Sequence, residues 1–236
     1  MLYRLVIASE QQKAELILLN SQQQHYLKRV LRLVNGDRFI AMDGQGKSWL
    51  AEIQGETARC LELLEIVTEL PFEINLITAL PKGNGYEQIL RCCTELGVSR
   101  FLPVISDRTI IKPSKNKVER WRKIVIESAE QAERQIVPQV FSPLPFTETI
   151  NHLTTTEEEK RYICVARGDV PSLWQCLETS HPQPITIATG TEGGWTPQEI
   201  EQAIAAKFQP VSLGKRILRA VTAPITAVSL VSVMGF

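Results

Sequence analysis

Two patterns of apolar and polar positions divide the chain. In residues 1–70 short apolar runs alternate with tight polar turns: YRLVIA, RFIAM after NGD, KSWLAEI after the hairpin signal DGQG, and ARCLELLEIV after GET. Short strands joined by such turns predict a small β-barrel. One helix-like segment interrupts them, SQQQHYLKRVLRL, in which Leu27, Val30 and Leu31 are expected to face the barrel and Lys28, Arg29 and Arg32 to point outward. From Ile74 onward the pattern changes. Near-continuous apolar stretches (INLITAL, RFLPVI, YICVA, ITIAT, PVSL) alternate with helix-like ones at Tyr86–Leu96, about Val118–Gln135, Pro197–Lys207 and from Thr222, with SLWQCLE between YICVA and ITIAT. Strands apolar on every position imply a mostly parallel sheet covered on both faces, an α/β domain over residues 74–236. In the long helix Val118, Trp121, Ile124, Val125 and Ala129 make the apolar stripe, and Glu130 and Arg134, four residues apart, are expected to pair.

Composition narrows the choice of partners. Lys plus Arg and Asp plus Glu balance at 26 each in 236 residues, so a polyanion would have to be held by local patches. Two such patches exist. Leu16–Gly36 holds His25, Lys28, Arg29 and Arg32 and no acid, and Arg108–Lys123 holds seven cations with Glu119 alone against them. Taken singly, each reads first as a solvated helix face or loop; together they lean toward a phosphate-rich partner. No segment reaches the ~20 apolar residues of a membrane span, and the N-terminal MLYRLVIASEQQK carries no cleavage signal, so a cytoplasmic location is expected. The five cysteines show no C-x-x-C spacing and the three histidines are scattered, which speaks against a disulfide framework and against a metal site.

The candidate chemistry lies in two glycine turns. After ITIAT comes Gly190-Thr191-Glu192-Gly193-Gly194, and after PVSL comes Leu213-Gly214-Lys215-Arg216-Ile217-Leu218-Arg219. Thr196, Pro197 and Glu199 supply the N-cap, N1 and N3 residues of a helix start. Both turns fall at the carboxyl ends of predicted strands, where open α/β sheets hold ligands. Neither matches the dinucleotide or triphosphate-loop spacing, so an adenosine read by backbone groups, or a plain strand-end turn, remains for the first turn. For the second, phosphate-holding cations or an exposed helix-start loop remain.

GTEGGWTPQEIE followed by LGKRILRAVTAPITA resembles the paired motifs of the ribosomal RNA small subunit methyltransferase E family, the uridine-N3 methyltransferases of the SPOUT superfamily. HYLKRVLRLVNGD, MDGQG, LPKGNGYEQIL, TELGV and ESAEQAERQIVP, with Glu130, Gln131, Arg134 and Pro138, extend the resemblance over nearly the whole chain. The resemblance implies an N-terminal PUA-like β-barrel and a C-terminal SPOUT-type parallel sheet threaded into a deep trefoil knot. It also implies S-adenosylmethionine as cofactor, 16S rRNA or the small ribosomal subunit as partner, and a homodimer. Carried over residue by residue, Gly190, Thr191, Glu192, Gly193, Gly194, Leu213, Gly214, Ile217 and Leu218 would bind the cofactor. Arg219, close to the substrate side, and Arg167, at a strand end beside the cofactor, would be catalytic, and Lys28, Arg29, Arg32, Lys82, Arg134, Lys215 and Arg216 would hold RNA. Three positions depart from the family pattern: Thr191 for proline, Val221 for glutamate and Cys92 for lysine. The loss of the carboxylate at 221 motivates an alternative, an RNA-binding ribosome-assembly protein of the same fold with weakened catalysis. An unrelated nucleotide-binding α/β enzyme follows from the glycine turns alone.

Overall fold

The computed structural model describes residues 2–153, 159–178 and 183–235. The chain forms two compact units, one of residues 1–69 with 126–137 and one of residues 70–125 with 138–236. By contacts, residues 126–137 group with the first unit although they follow residue 70 in the chain.

The first unit holds β1 (Arg4–Val6), β2 (Gln12–Lys13), β3 (Leu16–Leu18), α1 (Ser21–His25), β4 (Arg38–Met42), β5 (Ser48–Gln54) and β6 (Thr57–Leu64). The strands join in the order β1-β4-β5-β6-β3-β2, antiparallel except for β1 on β4. Leu5 of β1 and Ile17 of β3, near opposite ends of that order, share one apolar core with Phe39, Ala51 and Ile53. The sheet therefore curls without closing: no pairing joins β1 to β2 among the described residues, so the expected barrel is an open one. The DGQG turn joins β4 to β5 because Asp43 Oδ1 accepts the Gln45 and Lys47 N–H groups at 2.8 and 3.0 Å.

The early helix is shorter than its pattern. Asn20 caps α1, accepting the Gln23 N–H at 2.9 Å, and a π-helical turn follows at Tyr26–Val30, closed by Leu31 N–H on the Tyr26 carbonyl. Leu27 is fully buried, but Val30 is 57% exposed, contrary to its expected place in the core. The wider turn moves it off the stripe that a 3.6-residue period gives.

Segment 126–137 ties itself to the small unit by polar contacts. Glu130 Oε1 accepts the Val6 N–H at 2.7 Å, Glu133 pairs with Arg4 at 2.6 Å, and Arg134 pairs with Glu69 at 2.7 Å. Glu69 also accepts the Gln135 and Ile136 N–H groups at 3.0 and 3.1 Å. The expected Glu130–Arg134 pair is replaced by these contacts. Arg134, named for RNA, has a side chain only 5% exposed and bound to Glu69, which gives it a structural contact in the first unit.

The second unit holds β7 (Ile74–Ala79), α2 (Gly85–Glu95), β8 (Arg100–Ile105), the start of α3 (Lys115–Gln131), β9 (Gln139–Val140), β10 (Leu144–Pro145), α4 (Phe146–Asn151) and β11 (Lys160–Cys164). It continues with α5 (Leu173–Glu178), β12 (Ile185–Thr189), α6 (Pro197–Ala205), β13 (Gln209–Val211) and α7 (Thr222–Ser232). All strand pairs are parallel, in the order β10-β8-β7-β12-β11-β13 with β9 beside β8. Every residue of the central β7 and β12 is buried, as a sheet covered on both faces requires. Phe146 and Ile150 of α4, with Ala203 of α6, pack on Ile77, Ala79, Val104, Ile163 and Ala188. Helix α7 packs against α2, α5, β7 and β12, and Tyr86 meets Trp121 edge-on with ring centroids 4.5 Å apart. After β7 the chain leaves toward β8; after β12 it leaves toward β13 on the far side of β11. That divergence puts a topological switch point between β7 and β12. Among the described residues no helix is long and apolar enough to cross a membrane.

Candidate functional site at the strand ends

At the carboxyl ends of β11, β12 and β13 lies a cavity of about 290 Å³. Its walls are the β12–α6 loop, the β13–α7 loop, the β11 end from Cys164 to Arg167, Arg108 after β8, and Ala223 at the start of α7. The size is at the lower end of the range for small-molecule sites, about 300–1,000 Å³.

The first glycine turn is closed on itself. Gly194 N–H donates to the Thr191 carbonyl at 2.9 Å, and Gly193 N–H reaches the Thr191 hydroxyl at 3.3 Å. Thr191 is buried, so its hydroxyl supplies part of the rigidity that the family's proline would give. Gly194 carries the left-handed φ of +70°, whereas Gly193 does not. Gly190 is needed for space, since a β-carbon there would lie 3.0 Å from the Gly194 carbonyl carbon. The loop exit is fixed by the expected capping box: the Thr196 hydroxyl accepts the Glu199 N–H at 3.3 Å and Glu199 Oε2 accepts the Thr196 N–H at 2.7 Å. Buried Glu199 also accepts the Asp107 N–H at 3.0 Å, and Asp107 accepts the Thr196 hydroxyl at 3.1 Å.

The second turn is held by its first residue. Ser212 receives the Gly214 N–H on its hydroxyl at 3.1 Å, while its carbonyl accepts the Leu173 N–H at 2.9 Å. Gly214 has φ +112°. Leu213 and Leu218 then give apolar walls, with Arg216 between them.

The structure brings Gly190, Thr191, Gly193, Gly194, Leu213, Gly214, Leu218, Arg167 and Arg216 to the cavity wall. Glu192 and Ile217 are not on that wall. Glu192 is exposed, and its carboxylate accepts the Lys82 N–H at 3.0 Å, an effect on the β7–α2 loop instead of on a ligand. Ile217 is 64% exposed. Arg219 and Lys215 are exposed and off the wall, the Arg219 carbonyl accepting the N–H groups of Thr222 and Ala223 at the start of α7. Of the other cations named for RNA, Arg29, Arg32 and Lys82 are exposed and Lys28 is half-buried.

Several wall residues carry no sequence signal. Cys164 is one, its thiol pushed up to about 12 by burial and so kept protonated. Trp195 is another: its ring packs on Phe146, and its indole nitrogen is buried with no hydrogen-bond partner. Arg108, Arg167 and Arg216 give the wall three cations, and no carboxylate lines it among the described residues. The missing glutamate at 221 does not open the cavity: Val221 is not on the wall, and its Cγ2 fills the space over Gly85, 2.7 Å from where a β-carbon there would stand.

Two glycine loops and three arginines around a cavity at the strand ends of a parallel sheet make a small-molecule site, in a chain that also holds a curled β unit. The RNA methyltransferase domain family matches residues 68–232, and the RNA methyltransferase PUA domain family matches residues 19–63. Ribosomal RNA small subunit methyltransferase E of Synechocystis sp. is 48% identical over 238 residues, covering 99% of this chain and 78% of that protein. The crystal structure of a ribosomal RNA small subunit methyltransferase E from Neisseria gonorrhoeae bound to S-adenosyl methionine superposes with a TM-score of 0.86 at 31% identity, over 97% of this chain and 95% of that one. A putative methyltransferase from Legionella pneumophila, in complex with the bound cofactor SAM, gives 0.86 at 27% identity over 99% and 98% of the two chains. The chain belongs to the ribosomal RNA small subunit methyltransferase E family, and its α/β fold of PUA-like curled sheet and SPOUT-like parallel sheet is that family's.

Proposed function

We propose that this protein methylates N3 of a uridine in 16S rRNA of the small ribosomal subunit, with S-adenosylmethionine as donor. The observation that carries the reading is the strand-end cavity formed by two glycine loops, in a chain similar to ribosomal RNA small subunit methyltransferase E proteins, one of them bound to S-adenosyl methionine. The wall suits the donor: Gly190 permits close approach of backbone, Leu213 and Leu218 offer apolar faces for a purine, and the arginines suit a carboxylate. When bound, S-adenosylmethionine would supply an electrophilic methyl group on a sulfonium.

The rest falls to the chain's own residues. Binding in a walled cavity aligns the two reactants and excludes bulk water. Uracil N3 must give up its proton to solvent as it attacks, and negative charge spreads over the base. Arg167 and Arg216 present cations that would favour this anion and so ease loss of the proton to water. Exposed Arg219 and Lys215, next to Arg216 on the same loop, are suited to the RNA phosphates, as are Arg29 and Arg32 in the first unit. The target base has to leave its stack to enter the cavity. We further infer a cytoplasmic homodimer, supported by apolar Ile217 and Val233 standing 64% and 54% exposed; equilibrium sedimentation tests the dimer.

Labelled S-adenosylmethionine, purified protein and small subunits from cells lacking the modification form the direct test. Label incorporated into 16S rRNA is the expected result, and a folded protein that binds donor yet transfers nothing would overturn the reading.

A further inference from the structure

Arg108 belongs neither to the glycine loops nor to the loops after β11 and β13, yet it touches the first glycine turn more closely than any other side chain around Gly193. Its guanidinium Nη1 donates to the Gly193 carbonyl, and the three heavy atoms nearest a β-carbon placed on Gly193 are its Cδ, Cβ and Cγ, at 2.9, 3.7 and 3.8 Å. The arginine stem thus occupies the space that a side chain at 193 would take.

The backbone that carries Arg108 is held on both sides. Ser106 N–H donates to the Thr109 hydroxyl at 3.0 Å and Thr109 N–H donates back to the Ser106 carbonyl at 2.9 Å. Asp107 N–H is bound to buried Glu199, and the Asp107 carboxylate holds the Thr196 hydroxyl. Glu199 and Thr196 are the capping box of α6, so the end of β8 and the exit of the glycine turn share one hydrogen-bond network. Arg108 extends that network to the middle of the turn, and its own side chain lines the cavity.

We propose that Arg108 is a positioning residue for the donor: it braces the Gly190–Gly194 turn in the conformation that the cavity requires, through the Gly193 carbonyl and through its stem. The proposal rests on the reading of the cavity as the S-adenosylmethionine site. Gly193 itself lies outside the left-handed region, so a side chain there would meet the Arg108 stem and not backbone strain.

That last point supplies a test independent of simple loss of function. S-adenosylmethionine affinity is measured by calorimetry for the wild type, Arg108→Ala, Gly193→Ala and the double variant, with thermal melting and the KM values for donor and RNA alongside. Each single variant is expected to weaken donor binding roughly tenfold, raising the donor KM and leaving the RNA KM unchanged. In the Arg108→Ala background Gly193→Ala should cost nothing more, since the atoms it would strike are gone. Arg108→Met, which keeps the stem and loses the donor, should leave Gly193→Ala as harmful as before, and serves also if the alanine variant fails to fold. Additive losses in the double variant, or weakened RNA binding with donor affinity untouched, would overturn the proposal. A folded wild type that does not bind S-adenosylmethionine would overturn the reading of the cavity, and the proposal with it; donor binding equal in wild type and Arg108→Ala would remove the proposal alone.

Discussion

Arg134→Met separates a structural from an RNA-binding role for a residue whose motif suggests the second. The side chain is 5% exposed and meets Glu69, 20% exposed, through Nε at 3.1 Å and Nη2 at 2.7 Å. Methionine keeps most of the stem volume, so the change removes charge and hydrogen bonds more than packing. Breaking one side of a buried ion pair costs about 3–5 kcal/mol, because the remaining charge is stranded. Glu69 would keep the Gln135 and Ile136 N–H groups and some water, which places the cost near the lower end, about 3 kcal/mol. For a chain of this length that lowers Tm by about 6–12 °C. Differential scanning calorimetry reads the shift, and RNA affinity is measured well below the melt. Glu69→Gln added to Arg134→Met should recover part of the loss, since the stranded Glu69 charge is then gone. An unchanged Tm together with a marked loss of RNA affinity would refute the reasoning and return Arg134 to the RNA-facing set.

Three further outcomes follow from other sites. Burial pushes the Glu130 carboxyl up to about 7, with Glu127 adding and the Val6 N–H opposing, so its contribution to stability is full below the unfolded value of 4.5 and lost as pH rises through about 7; Glu130→Gln should flatten that stretch of the Tm–pH curve, and an unaltered curve would exclude Glu130 as its source. Gly190→Ala forces a β-carbon against the Gly194 backbone at 3.0–3.1 Å, an overpacking of about 1–3 kcal/mol that should weaken S-adenosylmethionine binding roughly five- to 150-fold by calorimetry; unchanged affinity would take this turn out of the site. Val221→Glu should leave methyl transfer within about threefold of wild type, since position 221 is off the cavity wall, and a gain of tenfold or more would show a missing catalytic carboxylate.

Much of the fold is legible because burial on both faces writes itself into consecutive residues. INLITA, apolar or small but for Asn75, and ITIAT become the two central strands, and Thr196 with Glu199 announces the start of α6 three residues apart. Short elements are not legible: β2, β9 and β10 are two residues each, too short for any period to show, and α4 follows a proline in a segment with no helical stripe. The π-turn at Tyr26–Val30 defeats a reading based on 3.6 residues per turn, which is why Val30 was placed inward. The same limits apply at the site. Glycines at strand ends mark where the cavity is, but sequence does not say which glycine takes the positive φ, and it falls on Gly194. Ile217 and Glu192 share the motif of the wall residues without sharing the wall, one exposed to solvent and one turned to the Lys82 backbone. Arg134 and Arg108 exchange their expected roles for a similar reason: a cation's partner is set by distant chain, Glu69 for one and Gly193 for the other, and local spacing carries no trace of either.

The central claim is transfer of a methyl group to uracil N3. The most direct measurement digests 16S rRNA from hypomethylated small subunits, after incubation with the protein and labelled S-adenosylmethionine, and identifies the labelled nucleoside by chromatography against synthetic standards. The account predicts 3-methyluridine at a single position, lost when Gly190→Val is used in place of the wild type. Label in any other nucleoside, or none from a folded protein with bound donor, would contradict it.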